Sequence, residues 1–301
     1  MHKVIYKNFY KISENSTILF LKMYYKVIRD MYRKIHQKEL TEHIQNLNED
    51  GYTYVKNYLD STLASTVNSR VDNIFADFNE NHSTAPPKGY QNIIKDDPIL
   101  QNAFLQSKDI LDLCTTGDHL KIYSHFLNDP HYGLIPEDEI NFTLSQCNLR
   151  KGATSLPIHY DIRLQIQTEK TWSMQGILAL DTRARKNGGL KVIPGSHKLE
   201  LPPSEYDELS DEVFVDLNQG DLVIFNSSLF HATTGVEEGM LPTWGLLLTY
   251  RSWWCKPQFD IHSMINEELM KSLTETQKTL FGHYSQPSSD PNGSASARSG
   301  Y

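Results

Sequence analysis

Cysteine is scarce in this chain. Cys114, Cys147 and Cys255 are the three in 301 residues, widely spaced and without a CxxC pair. That argues against a disulfide framework or a zinc knuckle and fits a reducing, cytoplasmic compartment, which would also keep iron ferrous. An excess of positive charge is missing too, and a net charge of −8 argues against general affinity for nucleic acid. No internal repeat is visible. The apolar N-terminal stretch is too interrupted by charge to span a membrane. A secretory signal is not expected, because Lys22 and Lys26 break its apolar core and no small-residue cleavage site follows.

What is present is 39% hydrophobic and 22% charged residues, enough for one sizeable core with appendages. Charge is uneven. Residues 1–38 hold nine Lys or Arg against Glu14 and Asp30, a net +7, so the remainder must carry −15 to bring the total to −8. This basic arm interleaves Ile18, Phe20, Tyr24, Tyr25 and Val27 with Lys22, Lys26 and Arg29. It could lie on an anionic membrane surface as a peripheral contact, or pack on the domain with its lysines in solvent. Residues 39–284 read as the folded domain. Residues 285–301, rich in Ser, Pro and Asn, have little to bury and are expected to form a disordered tail. The polar segment Asn79 to Asp97 is expected to be a loop able to cover a pocket.

Helical patterns come early. Leu63, Val67, Val71, Ile74, Phe75 and Phe78 recur at three-to-four spacing, which predicts an amphipathic helix over Leu59 to Phe78 with Asp60-Ser61 as its N-cap. Short strand-like runs separated by turn clusters follow from Ile140 to Tyr250.

Two stretches carry metal chemistry. In His159-Tyr160-Asp161, side chains two residues apart on a strand share a side, so the imidazole and the carboxylate can reach one ion while Tyr160 turns away. The alternation from Ile162 to Gln167 predicts that the strand continues. The second stretch runs from the turn Gly220-Asp221 through the apolar Leu222 to Phe225 to His231, with the histidine delivered beyond the strand end. Two imidazoles and one carboxylate can occupy one face of an octahedron at iron(II). Three positions then remain for a chelating 2-oxo acid and O2. The competing reading of His231 is a hydrogen-bonded core histidine.

Between them, Gly188-Gly189 permits a turn, Leu190 to Ile193 reads as a strand, and Pro194-Gly195 ends it before Ser196-His197-Lys198. With His159-x-Asp161 before this segment and Gly220-Asp221 through His231 after it, the chain resembles the phytanoyl-CoA dioxygenase family of iron(II)- and 2-oxoglutarate-dependent oxygenases. The likeness covers roughly residues 40 to 260. Glu49 to Val55 resembles the start of the family's domain, and the Gly189 to Lys198 run is the most specific part.

That resemblance implies an α+β, mainly β fold: a double-stranded β-helix, or jelly-roll, with flanking N-terminal helices. It implies His159, Asp161 and His231 as metal ligands, and Fe(II), 2-oxoglutarate and O2 as cofactors. It also implies hydroxylation rather than halogenation, since relatives that halogenate have a small residue where Asp161 stands. Thr233 matches a hydroxyl that helps hold the cosubstrate. The family's usual arginine for the distal carboxylate of 2-oxoglutarate, about a dozen residues after the second histidine, is not found. Leu241-Pro242-Thr243-Trp244-Gly245 stands there instead, with Thr243 at the matching position. Arg251 has the same strand parity but lies eight residues on, roughly 26 Å along a continuous strand. Arg251, Arg163 or Lys191 could supply the cation from another direction. Alternatively, another acid is used, or metal is bound without turnover.

His197 is read as structural, because a third imidazole would close the open face. Asn226 could orient a ligand or substrate. The aromatics Tyr160, Trp172, Phe225, Phe230, Trp244, Tyr250, Trp253 and Trp254 divide between core and pocket in a way the sequence does not resolve. The expected activity is dioxygenation of a small or lipid-like molecule. The alternatives are a metal-binding jelly-roll protein without oxygenase turnover and a membrane-recruited adaptor.

Overall fold

The computed structural model describes residues 33–81, 99–133, 135–136, 138–152, 154–162, 170–199 and 211–286. Residues 1–32 of the basic arm, 82–98, and 287–301 of the expected tail lie outside them; of the covering loop expected over Asn79 to Asp97, only residues 79–81 are described, and they are helical. Helix α1 (Gln37–Glu49) leads into β1 (Tyr52–Val55), then α2 (Ser61–Asn81), β2 (Ile99–Leu100), a single 3-10 turn at Ala103–Leu105, α3 (Lys108–Thr115) and α4 (His119–Leu127). The strands that follow are β3 (Phe142–Gly152), β4 (Leu156–His159), β5 (Ser173–Ala179), β6 (Leu190–Val192), β7 (Val213–Val215), β8 (Leu222–Asn226), β9 (His231–Thr233) and β10 (Thr243–Ser252). Short helices α5 (Ile261–Met264), α6 (Glu267–Ser272) and α7 (Glu275–Leu280) complete the order.

The strands assort into a six-stranded sheet, β1-β8-β5-β10-β3-β2, and a four-stranded sheet, β4-β9-β6-β7, with antiparallel pairing throughout. Alternation along β10 shows how the larger sheet is divided. Trp244, Leu246, Leu248 and Tyr250 face the helices, and Leu247 packs on the cluster between the sheets. That inner cluster joins Ile177, Ala179, Val223 and Phe225 of one sheet to Leu190, Val192 and Val215 of the other. Each fully buried Leu, Ile, Val or Phe contributes about 1.5–3 kcal/mol, so the two faces of one sheet hold both layers on it.

Helix α2 begins where the spacing predicts. Asp60 Oδ1 accepts from the backbone N–H of Thr62 at 2.9 Å and caps it, and Ala64, Val67 and Val71 are buried. The side chains of Phe75 and Phe78 lie outside the described residues. The last part of the basic arm is docked: Ile35 is buried, its N–H reaches Asp118 Oδ2 at 2.9 Å, and the Arg33 N–H reaches the Tyr58 carbonyl at 3.0 Å. No helix among the described residues is long and apolar enough to cross a membrane.

Two features differ from the sequence reading. The chain has helices after the strands as well as before them, and Ile261, Leu273, Leu280 and Phe281 join the helix-side core, with Phe281 stacked on Phe104 at 4.9 Å. Strand β4 also stops at His159. Asp161 sits in a bend beyond it, tied by its N–H to the Ser227 carbonyl at 2.9 Å, and residues 163–169 lie outside the described ones.

The turn before β8 is fixed by Gly220, whose φ is +89° and whose missing Cβ admits the Leu59 carbonyl. The buried Asp221 carboxylate beside it accepts from Asn57 N–H at 2.6 Å, Asn218 N–H at 2.8 Å and Tyr54 O–H at 2.5 Å, joining β1 to β8.

One buried polar group joins the helices to the sheet. His119 is fully buried, its Nδ1 lies 2.6 Å from Tyr58 Oη, and its Nε2 lies 3.4 Å from Tyr250 Oη. Tyr250 Oη donates to the Cys114 carbonyl at 2.6 Å. Burial pushes the His119 pKa down to about 3 from 6.5. The unfolded chain therefore takes up this proton near pH 6.5 and the folded chain only near 3, so the contribution is present above 6.5 and lost as pH falls through that window. Equilibrium urea unfolding should show stability declining below pH 6.5 by up to about 1.4 kcal/mol per pH unit from this group, and His119→Gln should flatten the slope. An unchanged slope in the variant would show that other groups set the acid limit.

Candidate metal centre

The β4–β9 ladder places His159 directly opposite His231. Each imidazole is oriented by its own backbone: His159 Nδ1 lies 2.8 Å from the Pro157 carbonyl, and His231 Nδ1 lies 3.0 Å from the Leu229 carbonyl. A carbonyl can only accept, so both Nδ1 atoms carry the hydrogen and both Nε2 lone pairs are available to a metal. The rings stand 4.3 Å apart, centroid to centroid, and Phe225 lies 4.9 Å from the His231 ring.

Asp161 completes the set. Its Oδ1 is 3.8 Å from His159 Nε2 and its Oδ2 is 3.5 Å from His231 Nε2. One ligand atom from each of the three residues lies within 4.8 Å of the others. Around a six-coordinate ion at ~2.1 Å, neighbouring ligand atoms stand about 3 Å apart and opposed ones about 4.2 Å, so a small inward shift closes the set on one cation. His231 is buried, and burial is the main reason its pKa is lowered; the nearby His159 lowers it too, while Asp161 and the Leu229 carbonyl oppose them. At neutral pH that leaves the imidazole neutral, the form that binds metal.

A polar chain on the inner face of the larger sheet holds Asp161. Gln175 Nε2 donates to Asp161 Oδ2, and Gln175 Oε1 accepts from Thr249 Oγ1 at 3.1 Å. Gln146 Nε2 donates to that hydroxyl at 2.8 Å, Asn148 Nδ2 to Gln146 Oε1 at 3.2 Å, and the Asn102 N–H to Asn148 Oδ1 at 3.0 Å. The Gln175 amide is thereby fixed with its N–H side toward the carboxylate.

The three residues singled out in the sequence, His159, Asp161 and His231, do lie together, whereas Gln175 was not singled out. It sits in a mostly apolar, fully buried strand, and a glutamine in such a run was the available signal.

The remaining expectations divide. Thr233 shares the face of His231 two residues along β9, and its Oγ1 accepts from the Leu156 N–H at 3.3 Å. Arg251 lies at the far end of β10 from Thr243, donates to the Lys256 carbonyl at 3.0 Å, and is near enough to Asp161 for the charges to interact. Burial lowers its pKa, with Cys255 and Asp161 opposing that.

Lys191 does not serve the inside. Its neighbours Leu190 and Val192 take the inner positions, so it points outward and pairs with Glu212 at 2.8 Å. Arg163 lies outside the described residues. Asn226 holds the turn leading to His231, accepting from the Ser228 N–H at 2.9 Å and donating to Thr171 Oγ1 at 3.1 Å. His197 packs against Gly51, away from the ligands. Trp244 is on the helix side, donating to Asp72, and Trp253 donates to Asp129 while stacking on Tyr132.

A sequence model of the phytanoyl-CoA dioxygenase family matches residues 47–237, a span that includes His159, Asp161 and His231. The chain belongs to this family. No curated protein matches it. Solved structures share its fold at low identity. EctD from S. alaskensis with bound Fe is 17% identical over 75% of this chain and 83% of its own, with a TM-score of 0.57. HygX from Streptomyces hygroscopicus, with nickel and 2-oxoglutarate bound, is 13% identical over 75% and 90%, with a TM-score of 0.56. The alpha-ketoglutarate-dependent epimerase SnoN from nogalamycin biosynthesis is 16% identical over 72% and 82%, with a TM-score of 0.54.

In the candidate ligand set the carboxylate is aimed by one side chain, Gln175. Gln175→Leu should lower metal affinity by roughly 10- to 100-fold, measured by titration with Co(II) under anaerobic conditions. His197→Ala should leave it unchanged. Equal affinity in wild type and Gln175→Leu would remove Gln175 from the site.

Proposed function

We propose that this protein is a non-haem iron(II)- and 2-oxoglutarate-dependent dioxygenase of jelly-roll architecture that hydroxylates a small or lipid-like molecule. The observation that carries this reading is the convergence of His159 Nε2, His231 Nε2 and the Asp161 carboxylate, with both imidazoles held in the metal-binding tautomer. The set fits iron(II): two neutral nitrogen donors and one anionic oxygen donor on one side leave the other positions for reactants. Iron bound there would supply the oxidation, in which 2-oxoglutarate and O2 become succinate and carbon dioxide while one oxygen atom enters a C–H bond of the substrate.

The chain's own residues bind and orient. Asp161 offsets part of the metal charge and, as a ligand, leaves no room for a halide, which favours hydroxylation. Gln175 fixes the direction of that carboxylate. Phe225, packed on His231, keeps water from one side of the imidazole. Thr233 is assigned to the distal end of the cosubstrate by its place on the ligand face of β9, and Arg251 to the metal end by its charge near Asp161. The related folds act as more than hydroxylases by name, SnoN being an epimerase. Hydroxylation is therefore the specific claim, and oxygenase-type chemistry the general one.

A second reading, metal binding without turnover, draws on one observation: Leu241 to Gly245 has no arginine or lysine. Anaerobic addition of 2-oxoglutarate to the iron(II) protein separates the two. A weak visible charge-transfer band, lost in His231→Ala, together with substrate-dependent succinate release in air, is expected for the dioxygenase. Metal binding with neither band nor succinate would leave the second reading standing.

A further inference from the structure

The place usually taken by the strand arginine is filled from another part of the chain. Thr243 opens β10 opposite Gly152, and Gly245 lies on the same face as Thr243, Leu247 and Thr249, turned toward the interior between the sheets. Arg183, in the connection from β5 to β6, is only 5% exposed. Its guanidinium lies against three glycines from three segments. A Cβ on Gly245 would collide with Nη1, one on Gly152 would stand 2.9 Å from Nη2, and one on Gly188 would stand 3.6 Å from Nη2.

Gly152 and Gly245 are not among the glycines with positive φ. Backbone conformation therefore does not call for glycine at either position, whereas room for the guanidinium does. Nε and Nη2 donate to the Gly188 carbonyl at 3.2 and 2.8 Å, which turns Nη1 toward Gly245 and the neighbouring Ile177 of the inner cluster. The cradle and the metal ligands share a ladder. Val192 pairs with His231, while Leu190, two residues after Gly188, pairs with Thr233. At about 3.3 Å per residue the step from His231 to Thr233 is about 7 Å. A five-carbon dicarboxylate chelating the metal through its 2-oxo end covers such a span toward Arg183.

We propose that Arg183 replaces the missing strand arginine and binds the distal carboxylate of the 2-oxo acid, with Thr233 and Thr243 lining the same end. This rests on the dioxygenase reading above. Arg251 stands at the metal end of β10 and does not reach this place. Arg150, paired across from Gly245, is the neighbouring cation; it is more exposed and is not enclosed by the glycines.

The test compares two acids by the anaerobic charge-transfer band of the iron(II) protein: 2-oxoglutarate, and pyruvate, which lacks the distal carboxylate. Arg183→Gln should raise the 2-oxoglutarate concentration for half-saturation by roughly 10- to 100-fold and leave the pyruvate titration unchanged, because a charged fork-to-carboxylate contact is lost and the metal site is intact. Adding Thr243→Arg to that variant, which restores the family's usual position, should recover 2-oxoglutarate binding. Arg183→Lys should weaken 2-oxoglutarate alone, and to a smaller degree; this comparison decides if Arg183→Gln fails to fold. The proposal is overturned if Arg183→Gln or Arg183→Lys binds 2-oxoglutarate like wild type, if pyruvate weakens equally, or if Arg150→Gln alone produces the selective loss. If wild type gives no band with either acid, the dioxygenase reading itself fails.

Discussion

The register between β4 and β9 is the constraint on which the site depends. Only one antiparallel alignment puts His159 across from His231, and a one-residue slip would send one imidazole to the outer face. That alignment is enforced from both sides. Leu190 and Val192 pair with Thr233 and His231 on the other edge of β9, and they place their side chains in the apolar cluster between the sheets. Burial of that cluster is thus what holds two basic side chains close enough to share an ion. Their Nδ1 contacts with backbone carbonyls then decide which nitrogen faces it.

The larger sheet keeps two chemistries apart. Its outer face is apolar and sealed by helices, with His119 kept neutral among tyrosines. Its inner face carries an amide and hydroxyl chain from Asn102 to Asp161, where every named group has a partner in the next. Such a chain is costly where it is left open, and its closed run from Asn148 to Gln175 limits Asp161 to few orientations. A metal ligand that does not need to reorganise on binding loses less affinity to ordering.

The two ends of the inner face differ in charge as well. Arg251 stands by Asp161 at the metal end, and Arg183 stands by Gly152, Gly188 and Gly245 at the other. The missing cation after His231 is thus a move of the positive charge from a strand to a connection more than a loss of it. Loops and strand ends exchange such duties readily, because recognition of a carboxylate depends on where the guanidinium is and not on the backbone that carries it.

The sequence by itself determined the local features. Turn residues and apolar runs marked Leu190 to Ile193 and Leu222 to Phe225 as strands, within a residue of the observed β6 and β8, and three-to-four spacing located α2 with its Asp60 cap. The spacing of His159, Asp161 and His231 around the Gly188 to Lys198 segment marked the family and its ligands. These follow from interactions within a few residues, so a short window contains them. Tertiary structure decided what depends on register and on contacts between distant segments. It ended β4 at His159 and set Asp161 in a bend, started a separate strand in the other sheet at His231, and added helices after the strands. It also turned Lys191 outward to Glu212 and brought Gln175 and Arg183 into the interior against partners from distant segments. A side chain's partners across a sheet are fixed by packing of the whole domain, and no window of neighbouring residues holds that information.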